Sequence, residues 1–185
     1  MTETEGKIID AAIGCFVRFG ARKASMNDIA GAAGVSRQTL YDLFGSKDEL
    51  IRASIQKITD QSLAAIAVRL QASTTLEEKL NAYFQETVIK SFELLQTAGD
   101  PEDLISGHNE AGAAAICESH DKYKHLIEGI LADHMEAPSE GAISPAGLAD
   151  YVVTVAMGFK YVKDRGNLED LLGVLTASVL KLVRP

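Results

Sequence analysis

Residues 25–50 read SMNDIAGAAGVSRQTLYDLFGSKDEL, a stretch that few local structures can accommodate. Ser25 suits the cap of a helix start, and Asp28 stands three residues on, where the reciprocal acid of a capping box belongs. Ile29, Ala30 and Ala33 give that short helix an apolar side. Gly34 offers the residue type most at ease in the left-handed conformation that ends a helix. Val35 reads as an apolar plug between two helices. Ser36 reads as the cap of the second, whose Leu40 and Phe44 face inward one turn apart. Arg37, Gln38, Tyr41 and, at the edge, Thr39 are left facing out. A short helix with a polar, hydrogen-bonding outer face after a glycine turn has the layout of a helix-turn-helix.

The chain around this motif reads as helix throughout. A first helix spans about Glu5 to Phe19, with Ile9, Ala12, Phe16 and Phe19 on one stripe and Gly20 ending it. Cys15 falls on its apolar side and reads as a small core residue. After Gly45, Ser46 and Glu49 form the S-x-x-E box of a fourth helix carrying Leu50, Ile51, Ile55, Ile58, Leu63, Ile66 and Leu70. Further helices are expected from about Thr75 to Leu95, Asp121 to Met135, Pro145 to Val162 and Asn167 to Val183, with a loop at residues 137–141. No run of period two is long enough for a strand. The expected fold is all-α: a three-helix head over residues 1–46, a connecting helix over 47–72, and a regulatory and dimerisation body over 73–185.

These residues resemble a known family. IIDAAIGCFVRFG at Ile8 to Gly20, then MNDIAGAAGVS, then TLYDLFGSKDEL, are similar in order and spacing to the N-terminal domain of the TetR family of bacterial transcriptional repressors. The likeness covers residues 7–55 and does not reach the C-terminal two thirds. It implies a homodimer that binds a partly palindromic operator, one recognition helix per half-site in the major groove. It also implies a body that binds a small molecule, shifting the fourth helix and changing the spacing of the two heads.

The net charge of −8 sets a test for that implication. Residues 1–60 hold 8 Lys+Arg and 8 Asp+Glu, so the whole acidic excess lies in residues 61–185. DNA contact depends on charge near the phosphates and not on the total, so a neutral head is compatible with it. Helix N-termini and hydroxyls are then expected to share the phosphate work.

Arg37 and Gln38 occupy the first turn of the second motif helix, where recognition helices meet base edges. Arg reads guanine and Gln reads adenine by paired hydrogen bonds. Thr39 joins them as a candidate base contact, through a thymine methyl, or else touches a phosphate. Ser25, at the start of its helix, is a candidate phosphate contact. The resemblance assigns phosphate contact to Tyr41 and Lys47. Lys47 also stands at a helix start, where the dipole disfavours a cation and a bound phosphate would account for it. Its loss is therefore not expected to destabilise the free protein. Asp42 departs from the family pattern, since an acid facing DNA repels phosphate, although it can accept from cytosine.

The last two expected helices are apolar on more than one side, as a surface that pairs with a second copy would be. Val152, Val155, Phe159, Leu171, Leu175 and Val179 are the expected dimer contacts. Tyr83, Phe84, Thr87, Phe92, His108, Tyr123 and Met157 combine aromatic surface with polar handles and are the expected lining of an apolar ligand pocket. Gly107, Gly112 and Ala113 to Ala115 supply little side-chain volume and are expected to leave room for it.

Other classes find weaker support. Glu118, Asp121 and His125 share a helix face and could hold a divalent ion, but a solvated face is the simpler account. Cys117 near His120 lacks a third catalytic group. No phosphate-binding loop, dinucleotide fingerprint or nucleophile elbow is present, so neither an enzyme nor a cofactor is expected. A DNA-binding regulator with a protein partner, or with no ligand, remains the alternative. No apolar run approaches the roughly 18 residues of a membrane span, and the polar, acidic N-terminus is no signal peptide, so a soluble cytoplasmic protein is expected.

Overall fold

The computed structural model describes residues 2–135 and 143–183, and every regular element among them is helical. The order is α1 (Glu3–Phe19), α2 (Met26–Ala33), α3 (Arg37–Phe44), α4 (Lys47–Leu70), α5 (Leu76–Phe84), a π-helical turn (Gln85–Ile89) and α6 (Lys90–Thr97). Then follow α7 (Pro101–Ser106), α8 (Glu110–Ala132), α9 (Pro145–Gly158), a 3-10 turn (Phe159–Tyr161) and α10 (Arg165–Val183). The expected loop at 137–141 lies outside the described residues. Among the described residues, no helix is long and apolar enough to cross a membrane.

Packing gathers the chain into two compact units. One unit comprises Met1–Gln61 with Glu93–Ser119, and the other Ser62–Phe92 with His120–Pro185. The core of the first unit gathers Ile8, Ile9, Ala12, Cys15 and Phe16 of α1, Ile29 and Ala30 of α2, Leu40 of α3, and Leu50 and Ile51 of α4. Burial pushes the Cys15 thiol above its usual range, with Asp28 adding to the rise, as suits a core residue. Phe19, expected on the buried stripe, is exposed and stacks under the Arg18 guanidinium instead, 5.1 Å from its ring centre. Ile8 and Cys15 complete the stripe in its place.

The segment from mid-chain belongs to this first unit because polar contacts tie it there. The Gly99 amide donates to the Val17 carbonyl at 2.9 Å. Asn109 Nδ2 donates to Asp48 at 2.7 Å, Arg52 pairs with Glu118 at 3.3 Å, and the hydroxyls of Thr59 and Ser119 meet at 2.7 Å. Two of the small residues expected to leave space, Gly107 and Gly112, bring backbone together. A Cβ on Gly112 would sit 1.8 Å from the Gly107 carbonyl oxygen, so glycine here lets two stretches of backbone touch.

In the second unit, Leu80, Tyr83 and Phe84 of α5 pack with Ile127 and Leu131 of α8, Leu148 and Val152 of α9, and Leu168 and Val179 of α10. The expected helix from Thr75 to Leu95 is interrupted by the π turn, where Glu86 is buried. Burial alone would raise this carboxyl, but Lys90 and Arg69 bond to it and hold it below its ordinary range. Arg69 Nε reaches it at 2.7 Å. The two ion pairs explain how a wholly buried acid is tolerated.

The six expected dimer contacts take different places in the protomer. Val152, Leu175 and Val179 are closed inside the protomer's own core, and Val155, Phe159 and Leu171 are half-buried at its edge. The outward apolar residues on these elements are Tyr151, Tyr161, Val174 and Leu182. A helix apolar on two sides spends one of them on its own fold, and the more continuous stripe was the inward one.

Candidate nucleic-acid interface

The motif is built from local hydrogen bonds. Ser25 Oγ accepts from the Asp28 amide at 3.2 Å while Asp28 accepts back from the Ser25 amide at 3.1 Å, the reciprocal box that starts α2. The Ser25 hydroxyl also donates to Asp28 at 2.6 Å, and these bonds hold the Asp28 carboxyl below its ordinary range. Gly34 ends α2 at φ 67°, a left-handed conformation in which glycine carries no Cβ penalty. Its amide and that of Val35 return to Gly31 and Ala30, the Schellman pattern that turns the chain sharply. Val35 packs on the core beyond the turn.

α3 follows, capped by Ser36 Oγ on the Thr39 amide at 3.0 Å. Leu40 is fully buried and Phe44 packs beside it, which fixes the rotation of the helix. Arg37, Gln38, Tyr41 and Asp42 are consequently exposed along one outer face, with Thr39 half-exposed. α3 carries no acid in its first turn, so its N-terminal amides are not neutralised from within the helix. Two pairs one turn apart organise the outer face. The Arg37 guanidinium lies 5.3 Å from the centre of the Tyr41 ring, with Nη2 3.5 Å from its hydroxyl. Gln38 Nε2 donates to Asp42 Oδ1 at 2.7 Å. The Thr39 hydroxyl is taken up locally, 2.8 Å from Ser36 Oγ.

The half-buried Lys47 has a structural occupation that its sequence position did not reveal. Its ammonium donates to the carbonyls of Ala21 at 2.9 Å, and of Arg22 and Ala24 at 3.4 Å. Carbonyls of the turn between α1 and α2 therefore explain a cation at the start of α4, with no phosphate needed. The same turn is gripped through its amides by Asp103. That buried carboxylate accepts from the Arg22 amide at 2.9 Å and lies 2.9 Å from His108 Nδ1. Burial would raise its pKa, but the Arg22 amide, His108 and the Ala21 amide bring it below the ordinary range. Sequence reading missed Asp103 as a partner of the head and also α7 itself, which an Asp cap at Asp100 with Pro101 at the first helical position could have signalled.

The expected ligand residues do not all come together. Tyr83, Phe84 and Phe92 are buried in the second core, with Tyr123 against Tyr83 at 5.8 Å between ring centres. Met157 packs at the edge of that core. The Thr87 hydroxyl donates to the Tyr83 carbonyl at 2.8 Å. Burial pushes the Tyr83 phenol well above its usual range. His108 is separate: it belongs to the first unit and bonds to Asp103. A surface groove in the second unit is lined by Leu70, Lys79, His125, Leu126, Gly129, Ile130 and Asp133, none of them among the expected residues. The metal candidates are engaged elsewhere. Glu118 pairs with Arg52, and His125 Nδ1 lies 2.6 Å from the Asp121 carbonyl. Among the described residues, no group of three ligating side chains is placed to hold a metal ion.

Comparison with known proteins agrees with this geometry. Residues 8–54 match the model of the bacterial regulatory proteins of the tetR family. The chain is 31% identical over 81 residues to the HTH-type transcriptional regulator YezE of Bacillus subtilis, covering 44% of this chain and 42% of that protein. It is 36% identical over 80 residues to the HTH-type transcriptional activator FasR of Mycolicibacterium smegmatis, covering 43% of this chain and 36% of that one. These matches thus span less than half the length of either relative. The fold extends further. A TetR-like transcriptional regulator from Rhodococcus sp. RHA1 superposes with a TM-score of 0.66 at 20% identity, covering 96% of this chain and 94% of its own. The head over residues 8–54 is thus that of the tetR family of bacterial regulatory proteins, and the fold of TetR-like regulators extends over nearly the whole chain.

Proposed function

We propose that this chain is a homodimeric repressor that occupies a partly palindromic operator and leaves it when a small apolar molecule binds the second unit. The observation that carries the DNA-reading half is the outer face of α3. Arg37, Gln38 and Tyr41 stand exposed on a helix held in place by Leu40, immediately after a left-handed glycine turn. Arg37 and Gln38 contact base edges, with Thr39 at their side. Tyr41 contacts the sugar-phosphate backbone, as do Ser25 and Lys47 at the ends of neighbouring helices. Lys47 serves both roles, since three carbonyls fix its ammonium at the start of α4 and leave it half-exposed.

The effector half rests on the family resemblance and on the aromatic interior of the second unit around Tyr83, Phe84, Phe92 and Tyr123, with Met157 and Thr87. The acidic excess outside the head disfavours a large polyanion and favours neutral or cationic apolar compounds. Opening room for such a molecule would displace packed side chains, a strain that α4 can carry because it supplies residues to both units.

The test is selection of bound sequences from random duplex DNA with the full-length protein, with and without a metabolite extract, followed by transcription from a promoter bearing the selected site. Enrichment of an inverted repeat, lost with the extract, and lower transcription in the presence of the protein are expected. A selected site without two-fold symmetry, or higher transcription on binding, would overturn the palindrome or the repressor assignment respectively.

A further inference from the structure

The acid on the outer face of α3 departs from the family pattern, and its contact explains it. We infer that Asp42 is a positioning residue for sequence reading: it locks the Gln38 amide in one orientation and, by its charge, weakens binding to DNA of the wrong sequence. This rests on the placement of α3 in the major groove proposed above.

A glutamine amide has one edge that accepts and one that donates, and free rotation lets either face the DNA. Gln38 Nε2 lies 2.7 Å from Asp42 Oδ1. A carboxylate only accepts, so the nitrogen and not the oxygen of the amide must face it. Turning the amide over would set its oxygen against the carboxylate at the same short distance. The contact uses one N–H and leaves Oε1 and the other N–H free. Those two groups match adenine, which offers N6–H as donor and N7 as acceptor in a fixed order. Locking the amide therefore removes the rotamer that presents donor and acceptor in the reverse order, and it removes the entropy that ordering Gln38 on DNA would otherwise cost. The pairing geometry is the ordinary one for side chains four apart on a helix.

The charge acts separately. Asp42 is exposed, and nothing else in α3 is acidic. A negative charge on the surface that approaches the duplex repels phosphate at every site, cognate or not. At a cognate site, Gln38 is held ready and the loss is offset. At any other site it is not. Asp42 thus trades general affinity for discrimination.

The experiment compares Asp42→Ala, Asp42→Asn and Gln38→Ala in the full-length protein. The probes are a random-sequence duplex library and one scrambled duplex. Both positions are exposed, and alanine is at home in a helix, so the three variants should fold. Asp42→Ala should lower preference at one base pair per half-site by about tenfold, at the same pair that Gln38→Ala affects. It should also bind the scrambled duplex several-fold more tightly. Asp42→Asn, whose amide can accept from Gln38 or turn over and donate to it, no longer fixes the orientation and should relax the base preference as Asp42→Ala does, while binding the scrambled duplex more tightly. If Gln38→Ala erases a preference that Asp42→Ala leaves intact, the positioning role is overturned while the recognition helix stands. If neither changes any preference, both fall.

Discussion

The ammonium of Lys47 and the carbonyl oxygen of Ala21 lie 2.9 Å apart, and this contact joins the start of α4 to the turn that leads into α2. With Arg22 and Ala24 also accepting, Lys47 holds the turn between α1 and α2. Lys47→Met should therefore destabilise the free protein by about 1–2 kcal/mol, the range for a charged hydrogen bond lost at a half-buried site. Urea unfolding of the full chain without DNA measures this. An unchanged midpoint would return Lys47 to a purely DNA-facing role.

Arg37→Ala and Gln38→Ala should each weaken specific binding by roughly 1–3 kcal/mol and relax preference at one or two bases per half-site. Tyr41→Phe should weaken binding to all sequences about equally. The check is a set of single-base operator variants titrated at one salt concentration. Base preferences that survive both alanine variants would remove α3 from the groove.

Asp103→Ala leaves the Arg22 amide and His108 without their buried acceptor. A loss of about 2–4 kcal/mol is expected, because unpaired buried donors are costly. Amide exchange should show the loss in α1 and α2 rather than in α9 and α10. Equal protection of both regions in the variant would contradict the grip of α7 on the head.

Burial, with Lys160 and Lys124 adding to it, pushes the His120 imidazole down from 6.5 to about 4. The folded protein holds His120 neutral where the unfolded chain takes up a proton. Its contribution to stability is thus complete above pH 6.5 and is lost as the pH falls through 6.5 towards 4. His120→Gln should flatten that part of the stability curve. Below it, Asp103 and Glu86, whose carboxyls sit under their ordinary range, should keep the protein acid-sensitive. A slope between pH 6.5 and 5 that is the same in wild type and variant would show that His120 does not contribute.

Val174 is 65% exposed and Val179 fully buried on the same helix. Val174→Asp should leave the protomer folded but impair self-association, whereas Val179→Asp should unfold it. Sedimentation and circular dichroism separate the two outcomes. A Val174→Asp protein that remains fully dimeric at micromolar concentration would exclude this face.

What was legible in the sequence was local. Ser25, Asp28, Gly34 and Ser36 act on neighbours within a few residues, so capping chemistry identified α2, the turn and α3 with nothing else known. Leu40 fixed the buried side of α3, and Arg37, Gln38 and Tyr41 followed as the exposed side. What escaped was non-local. The carbonyls that hold Lys47 are 23 to 26 residues away, and Asp103 meets Arg22 across 81. Helix periodicity carries no information about such partners. The inward side of α9 and α10 was hidden for a related reason: two apolar stripes on one helix do not say which is turned inward, and only packing with Leu80 and Ile127 decides it.

A unit assembled from Met1–Gln61 and Glu93–Ser119 also has a history in time. The ribosome delivers a chain from its N-terminus, and domains usually close as they emerge. Here α2 and α3 come out early, yet the acid that grips the turn between α1 and α2 arrives only with Asp103, and the partner of Thr59 in α4 only with Ser119. The stretch 62–92 must be synthesised and looped out in between, an entropic toll that grows slowly with its length. A nascent chain therefore carries α3 for some time before the unit around it is fully braced. On the function proposed above, half-made copies would be poor competitors for DNA held by finished ones.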